Sequence, residues 1–414
     1  MMNALLRSAL LLALVAALGL PAQAQRYEQY ARAAMPSAQV IGMGGAGVGL
    51  AGPETAFFYN PAHFAKLGLL RPRIEILGVR AEASTKIFED VDFFFDRVEP
   101  AISEGDGIDY PLDQDERDLF VDALAQGARP TVGQAAVMAP SVMFGVGNFG
   151  FGAGVFANTT TRYRFRDNGS GIPIIDLFGQ GDAMAVVGAA AAIPTTNLSV
   201  GLTGKYVQRY IGYKFEELLA IDPDSEQLYV INGSTVTFDL GLQYTDVFGM
   251  LPGSLDFGLA IYDLVGGSFD YEEYRAIDLT GEDGDDPDEL ASILADFEDR
   301  DGNPSFRIGA SYGVPRLAAL PIFSDVDVAL DYVSENTSES DQPFLSKFRL
   351  GGQATLAGFL ALRAGVSQGY PTFGAGIETR FMQLGYVFYG VEDGRLPGQI
   401  ERYNHLVQVR FGLF

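Results

Sequence analysis

The chain has 414 residues, and its 28 basic and 53 acidic side chains give a formal net charge of -25 at pH 7. Binding to nucleic-acid phosphates requires the opposite sign, so a general nucleic-acid role is excluded. The absence of cysteine excludes disulfides, thiolate metal sites and a cysteine nucleophile, and His63 and His405 lie too far apart in sequence to suggest a histidine zinc site.

Residues 1–24 have the pattern of a secretory signal. A single positive charge at Arg7 precedes an apolar run over residues 9–20 and a small-residue end at Ala22-Gln23-Ala24. The alternative is an N-terminal membrane anchor, which is disfavoured because the apolar run is too short to span a bilayer well. We expect cleavage after Ala24 and export of the mature chain.

Residues 25–72 do not alternate like a strand, whereas the sequence from Arg73 to Phe414 has a period of two. We predict an all-β fold, an antiparallel transmembrane barrel of about 14 strands. Most are near the nine to eleven residues that a tilted spanning strand needs. The predicted strands are 73–86, 131–145, 149–163, 183–194, 197–213, 232–246, 254–266, 304–314, 324–334, 345–356, 358–366, 372–380, 381–391 and 402–414.

The predicted connections alternate between short turns and long loops. The long loops are 87–130, 164–182, 214–231 and 267–303, and acidic residues are concentrated in the first and the last of them. A barrel in an outer membrane has short periplasmic turns and long extracellular loops, which matches this asymmetry. Helical spacing within the first loop predicts a short surface helix over residues 114–126.

Each predicted strand has one apolar face and one small or polar face. A periplasmic β-sandwich would alternate in the same way, but the signal sequence and the loop asymmetry favour a barrel with its apolar face toward lipid. Charged residues on the polar face would then point into the barrel: Lys205, Arg209, Asp239, Arg307, Asp327, Asp331, Lys347, Arg349, Arg363 and Glu378. Charges of both signs in this position can hold an internal plug, line a narrow polar path, or only brace the wall.

The stretch from Gly42 to Gly47 matches the dinucleotide-binding string Gly-x-Gly-x-x-Gly. That motif needs a following helix, and Pro53 and Pro61 prevent one here. Glycines also permit tight turns and close backbone approach, which a segment folded inside a barrel would use. We therefore expect no cofactor at this stretch.

Two loop features suggest a site, and each has a simpler interpretation. The acidic stretches 281–286 and 299–303 could hold Ca²⁺, but neither has the full calcium-loop pattern, so a solvated acidic loop is favoured. The apolar cluster Phe93-Phe94-Phe95 could capture a hydrophobic ligand or pack the first loop onto the barrel mouth. No nucleophile–base set accompanies either feature, so we expect no metal centre and no enzymatic activity.

The glycine-rich stretch, followed by Asn60-Pro61-Ala62, resembles the N-terminal region of the FadL-like outer-membrane proteins. These include long-chain fatty acid and hydrocarbon transporters and PorV-like components of type IX secretion. Residues 359–366 and 369–376 also look like TraF-like members of the group. The resemblance implies a hatch over residues 25–72 that plugs a barrel over residues 73–414. Its hatch or gating residues would be Gly42, Gly44, Gly45, Gly47, Asn60, Pro61, Ala62 and His63, the last standing where the family usually has glycine.

The same resemblance implies passive uptake of hydrophobic, fatty-acid-like molecules across the outer membrane of a Gram-negative bacterium. Its partners would be a hydrophobic small molecule or lipid, the surrounding lipid and lipopolysaccharide, and the barrel-assembly machinery. Exit would be lateral, and the strand that carries Gly150, Gly152 and Gly154 is the candidate opening, because glycine weakens a strand ladder. Two alternatives stay open: a PorV-like barrel that binds secreted proteins, and a structural surface barrel.

Overall fold

The structure is a computed structural model of the chain. It describes residues 34–50, 52, 55–67, 72–93, 96–97, 114–127, 130–167, 173–217, 227–247, 252–265, 269–278, 304–314, 322–334, 343–394 and 397–414. The predicted signal sequence at 1–24, the candidate calcium stretches at 281–286 and 299–303, and Phe94 and Phe95 lie outside the described residues.

One antiparallel sheet of 15 strands forms the wall, and a pairing between β5 and β6 closes 14 of them into a barrel. The remaining strand, β8, pairs only with β6. The strands are β1 Arg73–Ser84, β2 Thr131–Val146, β3 Phe149–Asp167, β4 Pro173–Ala192, β5 Leu198–Glu217, β6 Gln227–Tyr244, β7 Ser254–Tyr262, β8 Asp270–Asp278, β9 Ser305–Gly313, β10 Phe323–Ser334, β11 Phe348–Leu356, β12 Leu360–Ser367, β13 Tyr370–Glu378, β14 Met382–Glu392 and β15 Glu401–Leu413. The predicted fourteen-stranded barrel is confirmed, with one strand added.

Two of the four predicted long loops are wrong in their bounds, because the strands continue into them. β3 and β4 stay paired as far as Asp167 and Pro173, so residues 164–182 are mostly strand. β5 and β6 likewise cover much of residues 214–231. In the β4 extension, apolar residues are adjacent in sequence, as at Ile174–Ile175 and Leu177–Phe178, so the hydropathy does not alternate, yet the backbone ladder and cross-strand pairs such as Arg164–Asp176 at 3.1 Å continue.

The predicted loop 267–303 also contains secondary structure, since β8 lies within it. On one side of β6, the residues from Leu240 onward pair with β7, whereas the residues up to Ser234 pair with β8. A second correction concerns β11, which begins at Phe348 because residues Phe344–Lys347 form a 3-10 turn whose Ser346 amide donates to the Pro343 carbonyl oxygen at 2.9 Å. Lys347 therefore lies before the strand rather than on it.

The helices are short and are not part of the sheet. They are α1 Ala38–Gly42, α2 Ile87–Phe93 and α3 Gln114–Gly127, together with a 3-10 helix at Pro61–Lys66. The predicted helix over residues 114–126 is confirmed by α3. Among the described residues, no helix is both long and apolar enough to cross a membrane.

The two ends of the barrel differ. We name one the short-turn end; it carries the tight connections at 147–148, 195–196, 357–359 and 379–381. We name the other the long-loop end; it carries the connections that include α2 and α3. The sequence predicts that the short-turn end faces the periplasm.

Residues 34–50, 52 and 55–67, which we name the inner segment, lie inside the barrel and contact strands around its circumference. The Ala38 amide donates to Gln408 Oε1 on β15 at 2.9 Å, and the Ser311 hydroxyl on β9 donates to the Gly49 carbonyl oxygen at 2.8 Å. On β6, the Leu242 carbonyl oxygen accepts from Asn60 Nδ2 at 3.0 Å. The space for this segment comes from small residues on the inward face: an added Cβ at Gly201 or Gly241 would collide with Pro61 or Asn60.

Candidate functional site

The glycine-rich stretch forms a tight turn that is held by a carboxylate of the wall. Gly44 and Gly45 have positive φ angles of 68° and 85°, which side chains with a Cβ rarely adopt. The turn directs the amides of Gly47 and Val48 at Asp331 Oδ2 on β10, at 2.7 and 2.9 Å. Successive backbone N–H groups form a concave anion-binding site, and here a protein carboxylate occupies it instead of a phosphate.

Asn60 begins the 3-10 helix and connects it to the wall. Its side-chain oxygen accepts from the Ala62 amide at 3.1 Å, and its Nδ2 donates to the carbonyl oxygens of Val48 and Leu242, both at 3.0 Å. Pro61 at the first helical position needs no amide partner. The predicted motif Asn60-Pro61-Ala62 is thus a connector between two parts of the inner segment and β6.

His63 is fully buried and bonded on both ring nitrogens. Gln243 Nε2 donates to the Gly49 carbonyl oxygen at 3.1 Å, which leaves Gln243 Oε1 as the acceptor for His63 Nε2 at 3.0 Å. The neutral ring then accepts from the Thr55 hydroxyl at Nδ1. Burial lowers the pKa of His63 from 6.5 to about 4, because the charged imidazolium would lose its hydration.

An apolar cluster lies between the inner segment and the β2–β5 wall. The ring of Phe156 on β3 packs edge-on against Phe57 and Phe58, with centroid distances of 5.2 and 5.0 Å, and Phe57 packs against Phe64 at 5.1 Å. The buried thioethers of Met138, Met143 and Met184 complete this cluster. Methionine side chains adapt easily to irregular apolar surfaces, so the cluster could reshape around an apolar guest.

Above this cluster, toward the long-loop end, is a cavity of about 270 Å³ that we name the upper cavity. Phe58 and Tyr59 form part of its lining, and the rest is mostly polar. Arg80 and Glu82 project into it from β1: Arg80 donates to Gln134 Oε1 at 3.1 Å, while Glu82 accepts from Asn404 Nδ2 at 3.0 Å. The sequence analysis missed both residues, although their inward phase on the predicted strand 73–86 marks them.

Nine of the ten predicted inward charges lie on inward-facing strand positions, Lys347 being the exception, and at least five of the ten form ion pairs. Lys205 bridges Asp239 at 2.9 Å and Asp263 at 3.1 Å. Arg209 pairs with Asp182 at 2.7 Å, and Arg363 pairs with Glu378. Arg349 donates to the Ser346 carbonyl oxygen, the Arg307 guanidinium lies 5.9 Å from the Tyr59 ring centroid, and the half-buried Asp327 lies on β10 across from Gly313.

The three candidate opening glycines on β3 lie next to aromatic rings. An added Cβ would collide with the Phe64 carbonyl at Gly150, with the Phe64 ring at Gly152, and at 2.8 Å with the Phe156 ring at Gly154. The ladder between β3 and β4 is continuous from Phe149 to Asp167. Opposite Gly154, the ladder to β2 shifts register between Met138 and Ser141. These positions explain the glycines by close packing, and the lateral opening there stays a prediction.

Phe93 is the described part of the predicted apolar loop cluster. Its ring packs edge-on against Phe165 at the upper end of β3, with a centroid distance of 5.9 Å. This contact fixes α2 to the barrel mouth, which is the simpler of the two interpretations of the cluster.

A scan against protein-family models and a search of curated protein sequences gave no match. Solved structures do match over nearly the full chain. The TodX monoaromatic hydrocarbon channel deltaS2 mutant superposes with a TM-score of 0.50 at 11% identity, covering 92% of this chain and 99% of that one. The Pseudomonas putida toluene transporter TodX gives 0.49 at 11%, covering 91% and 98%, and the Ralstonia pickettii toluene transporter TbuX gives 0.49 at 12%, covering 92% and 98%.

The chain is therefore a closed antiparallel β-barrel. Its fold is that of the FadL-like barrels, and the resemblance predicted from the sequence is confirmed at that level. At 11% identity, the comparison with the hydrocarbon channel concerns the fold alone.

Proposed function

We propose that the protein is an outer-membrane channel for the passive uptake of hydrophobic small molecules. The observation that carries this proposal is the apolar cluster inside the barrel, where Phe57, Phe58, Phe156 and three methionines meet beneath the upper cavity. If the inward side chains served only to stabilise the barrel, adaptable apolar side chains would not be required among them. The neutral hydrocarbons that the names of the similar solved structures mention fit such a surface.

A fatty-acid-like molecule would fit the junction between the two zones. Its chain would contact Phe58 and the methionines, while its carboxylate would reach the polar lining near Arg80. Arginine is suited to carboxylates because its planar fork can donate two parallel hydrogen bonds. The ligand would be driven by its own concentration gradient.

We further propose that the inner segment acts as the hatch. It closes the lumen through contacts with β6, β9, β10 and β15, which include the bonds to the Asp331 carboxylate and those of the Asn60 amide. We predict that the ligand leaves into the membrane near Gly154, where β2 has one residue more than β3 in the ladder. The passage of the β6 ladder from β7 to β8 is a second interruption of the wall.

The test compares an inward and an outward phenylalanine on the same strand. Phe156→Ala removes the centre of the apolar cluster, whereas Phe151→Ala changes a side chain that is 37% exposed on the lipid face. Barrels reconstituted in liposomes would be assayed with a fluorescent fatty acid and with pyrene as the neutral probe. We expect Phe156→Ala to change the rate of uptake at least threefold and Phe151→Ala to leave it unchanged.

Equal rates in both variants would contradict the proposal. A pull-down from outer membrane distinguishes the PorV-like alternative, in which secreted proteins would co-purify with the barrel and liposomes that contain the barrel would take up no probe. A structural barrel would give neither result.

A further inference from the structure

A polar cavity lies at the short-turn end, on the opposite side of the inner segment from the upper cavity. Its volume is about 560 Å³, within the range of small-molecule sites. The turn residues Gly358 and Thr379 lie at its mouth, and Ser37, Ala38 and Gln39 of the inner segment form its roof. We name it the lower vestibule.

The charged side chains that line this vestibule are mostly basic, whereas the chain as a whole is acidic. Four arginines line it, at Arg73, Arg363, Arg380 and Arg410, against two carboxylates, Asp325 and Glu378. The chain as a whole carries a net charge of -25. Four of its 28 basic residues thus converge on one cavity, and a concave surface with one dominant sign concentrates ions of the other sign.

The surrounding contacts hold two of these arginines in place. Arg363 pairs with Glu378 and donates through Nε to Gln353 Oε1 at 2.7 Å. Arg410 makes a two-pronged contact with Glu75, at 2.9 Å from Nε and 2.8 Å from Nη2, and its remaining Nη1 donates to Gln383 at 2.9 Å. The carboxylates of Glu378 and Glu75 offset the charges of Arg363 and Arg410, so the attraction for an anion depends mainly on the other arginines of the lining.

Arg380 differs from these two. It lies in the exposed turn between β13 and β14, and its guanidinium lies 5.7 Å from the centroid of the neighbouring Phe381 ring. A guanidinium at the mouth of a basic cavity can turn inward to donate two parallel hydrogen bonds to a carboxylate or a phosphate. The neutral donors Ser37, Gln39 and Thr379 on the same lining can satisfy further oxygens of such a ligand.

We propose that the lower vestibule is a binding site for small anions that carry a carboxylate or phosphate group and that reach the barrel from the short-turn end. The site is distinct from the upper cavity, because residues 34–39 lie between the two. Ala34 and Pro36 contribute to the upper lining and Ser37 to Gln39 to the lower one. It also does not depend on the proposed uptake function.

The test is a titration of the purified full-length barrel in a non-ionic detergent. The probes are pyrophosphate and citrate, measured by calorimetry at low and at physiological ionic strength. We expect both to bind, with affinity falling as salt rises, because the attraction is electrostatic. The variant Arg73→Gln/Arg380→Gln should bind at least tenfold more weakly.

The matched control is Arg97→Gln, which changes an exposed arginine beside Asp122 near the other end of the molecule. This control should bind both probes with unchanged affinity. The proposal is overturned if the unmodified protein binds neither anion, or if the double variant binds as tightly as the control.

A second measurement keeps the proposal testable if the double variant folds poorly. Phenylglyoxal modifies accessible arginines, and pyrophosphate should slow its reaction with Arg380 in the unmodified protein at least fivefold, but not with Arg97. Equal protection, or none, contradicts the proposal. Repeating the titration in nanodiscs separates a free anion from a lipid headgroup, because anionic lipid would weaken pyrophosphate binding only if headgroups enter the vestibule.

Discussion

The amide of Gly47 donates to Asp331 Oδ2 at 2.7 Å across 284 residues of sequence, and this contact fixes the inner segment to β10. Val48 donates to the same oxygen at 2.9 Å. A glycine turn that resembles a phosphate-binding loop is thereby filled by a carboxylate of the protein itself. The inner segment is therefore held by a charge-assisted contact, which is stronger than a neutral hydrogen bond.

Replacing Asp331 with alanine removes this acceptor and leaves two buried amides without one. Each such loss costs about 1–3 kcal/mol, so the glycine-rich turn should open locally. We expect amide hydrogen exchange at Gly47 and Val48 to speed up by at least tenfold. Asp325→Ala, which changes an exposed carboxylate on the same strand, should leave exchange unchanged, and similar exchange in both variants would count against this role.

Gly152→Val places methyl groups where the Phe64 ring lies. Overpacking of this kind costs about 1–3 kcal/mol, and the inner segment is the part that can yield. We expect a higher single-barrel conductance in planar bilayers. The control Gly179→Val adds a side chain whose Cβ would have its nearest neighbour, the Gly212 carbonyl oxygen, at 3.9 Å. Unaltered conductance in Gly152→Val would show that the segment does not close the lumen at this point.

Lys205→Met leaves the carboxylates of Asp239 and Asp263 buried without their cation. Breaking a buried ion pair costs about 3–5 kcal/mol, because the remaining charge is not hydrated. Unfolding in urea, followed by gel mobility without heating, should show a large drop in midpoint. Lys66→Met breaks a pair whose lysine is 32% exposed, and it should cost less than about 1 kcal/mol. Equal losses would mean that Lys205 is hydrated in the folded barrel.

His63 predicts a pH dependence of the inner segment. Its folded pKa of about 4 lies below the ordinary 6.5, so folding favours the neutral ring. The stabilisation is complete above pH 6.5 and is lost as the pH falls toward 4. Lys66 opposes protonation of the ring, and Asp256 favours it more weakly.

The measurement is proteolysis of the inner segment between pH 7 and pH 4. Cleavage should increase over this interval in the unmodified protein and should change less in His63→Asn, which does not titrate. The same increase in both would assign the pH dependence to other groups.

The sequence by itself determined the barrel. Period-two alternation from Arg73 to Phe414 and the asymmetry of the connections favoured a barrel over a β-sandwich, and the pairing of β5 with β6 confirms that the sheet is closed. The inward positions of Lys205, Arg209 and Asp239 follow from the same alternation. The glycine-rich stretch and Asn60-Pro61-Ala62 likewise indicated a special N-terminal segment.

The tertiary structure decided what the inward residues contact. Alternation assigns a side chain to a face but not to a partner, so it could not show that Gly47 meets Asp331 or that His63 meets Gln243. Alternation also failed at the start of β4, where apolar residues such as Ile174 and Ile175 are adjacent and the period of two is lost. The convergence of Arg73, Arg363, Arg380 and Arg410 on one vestibule depends on closure of the barrel, which brings β1 beside β15.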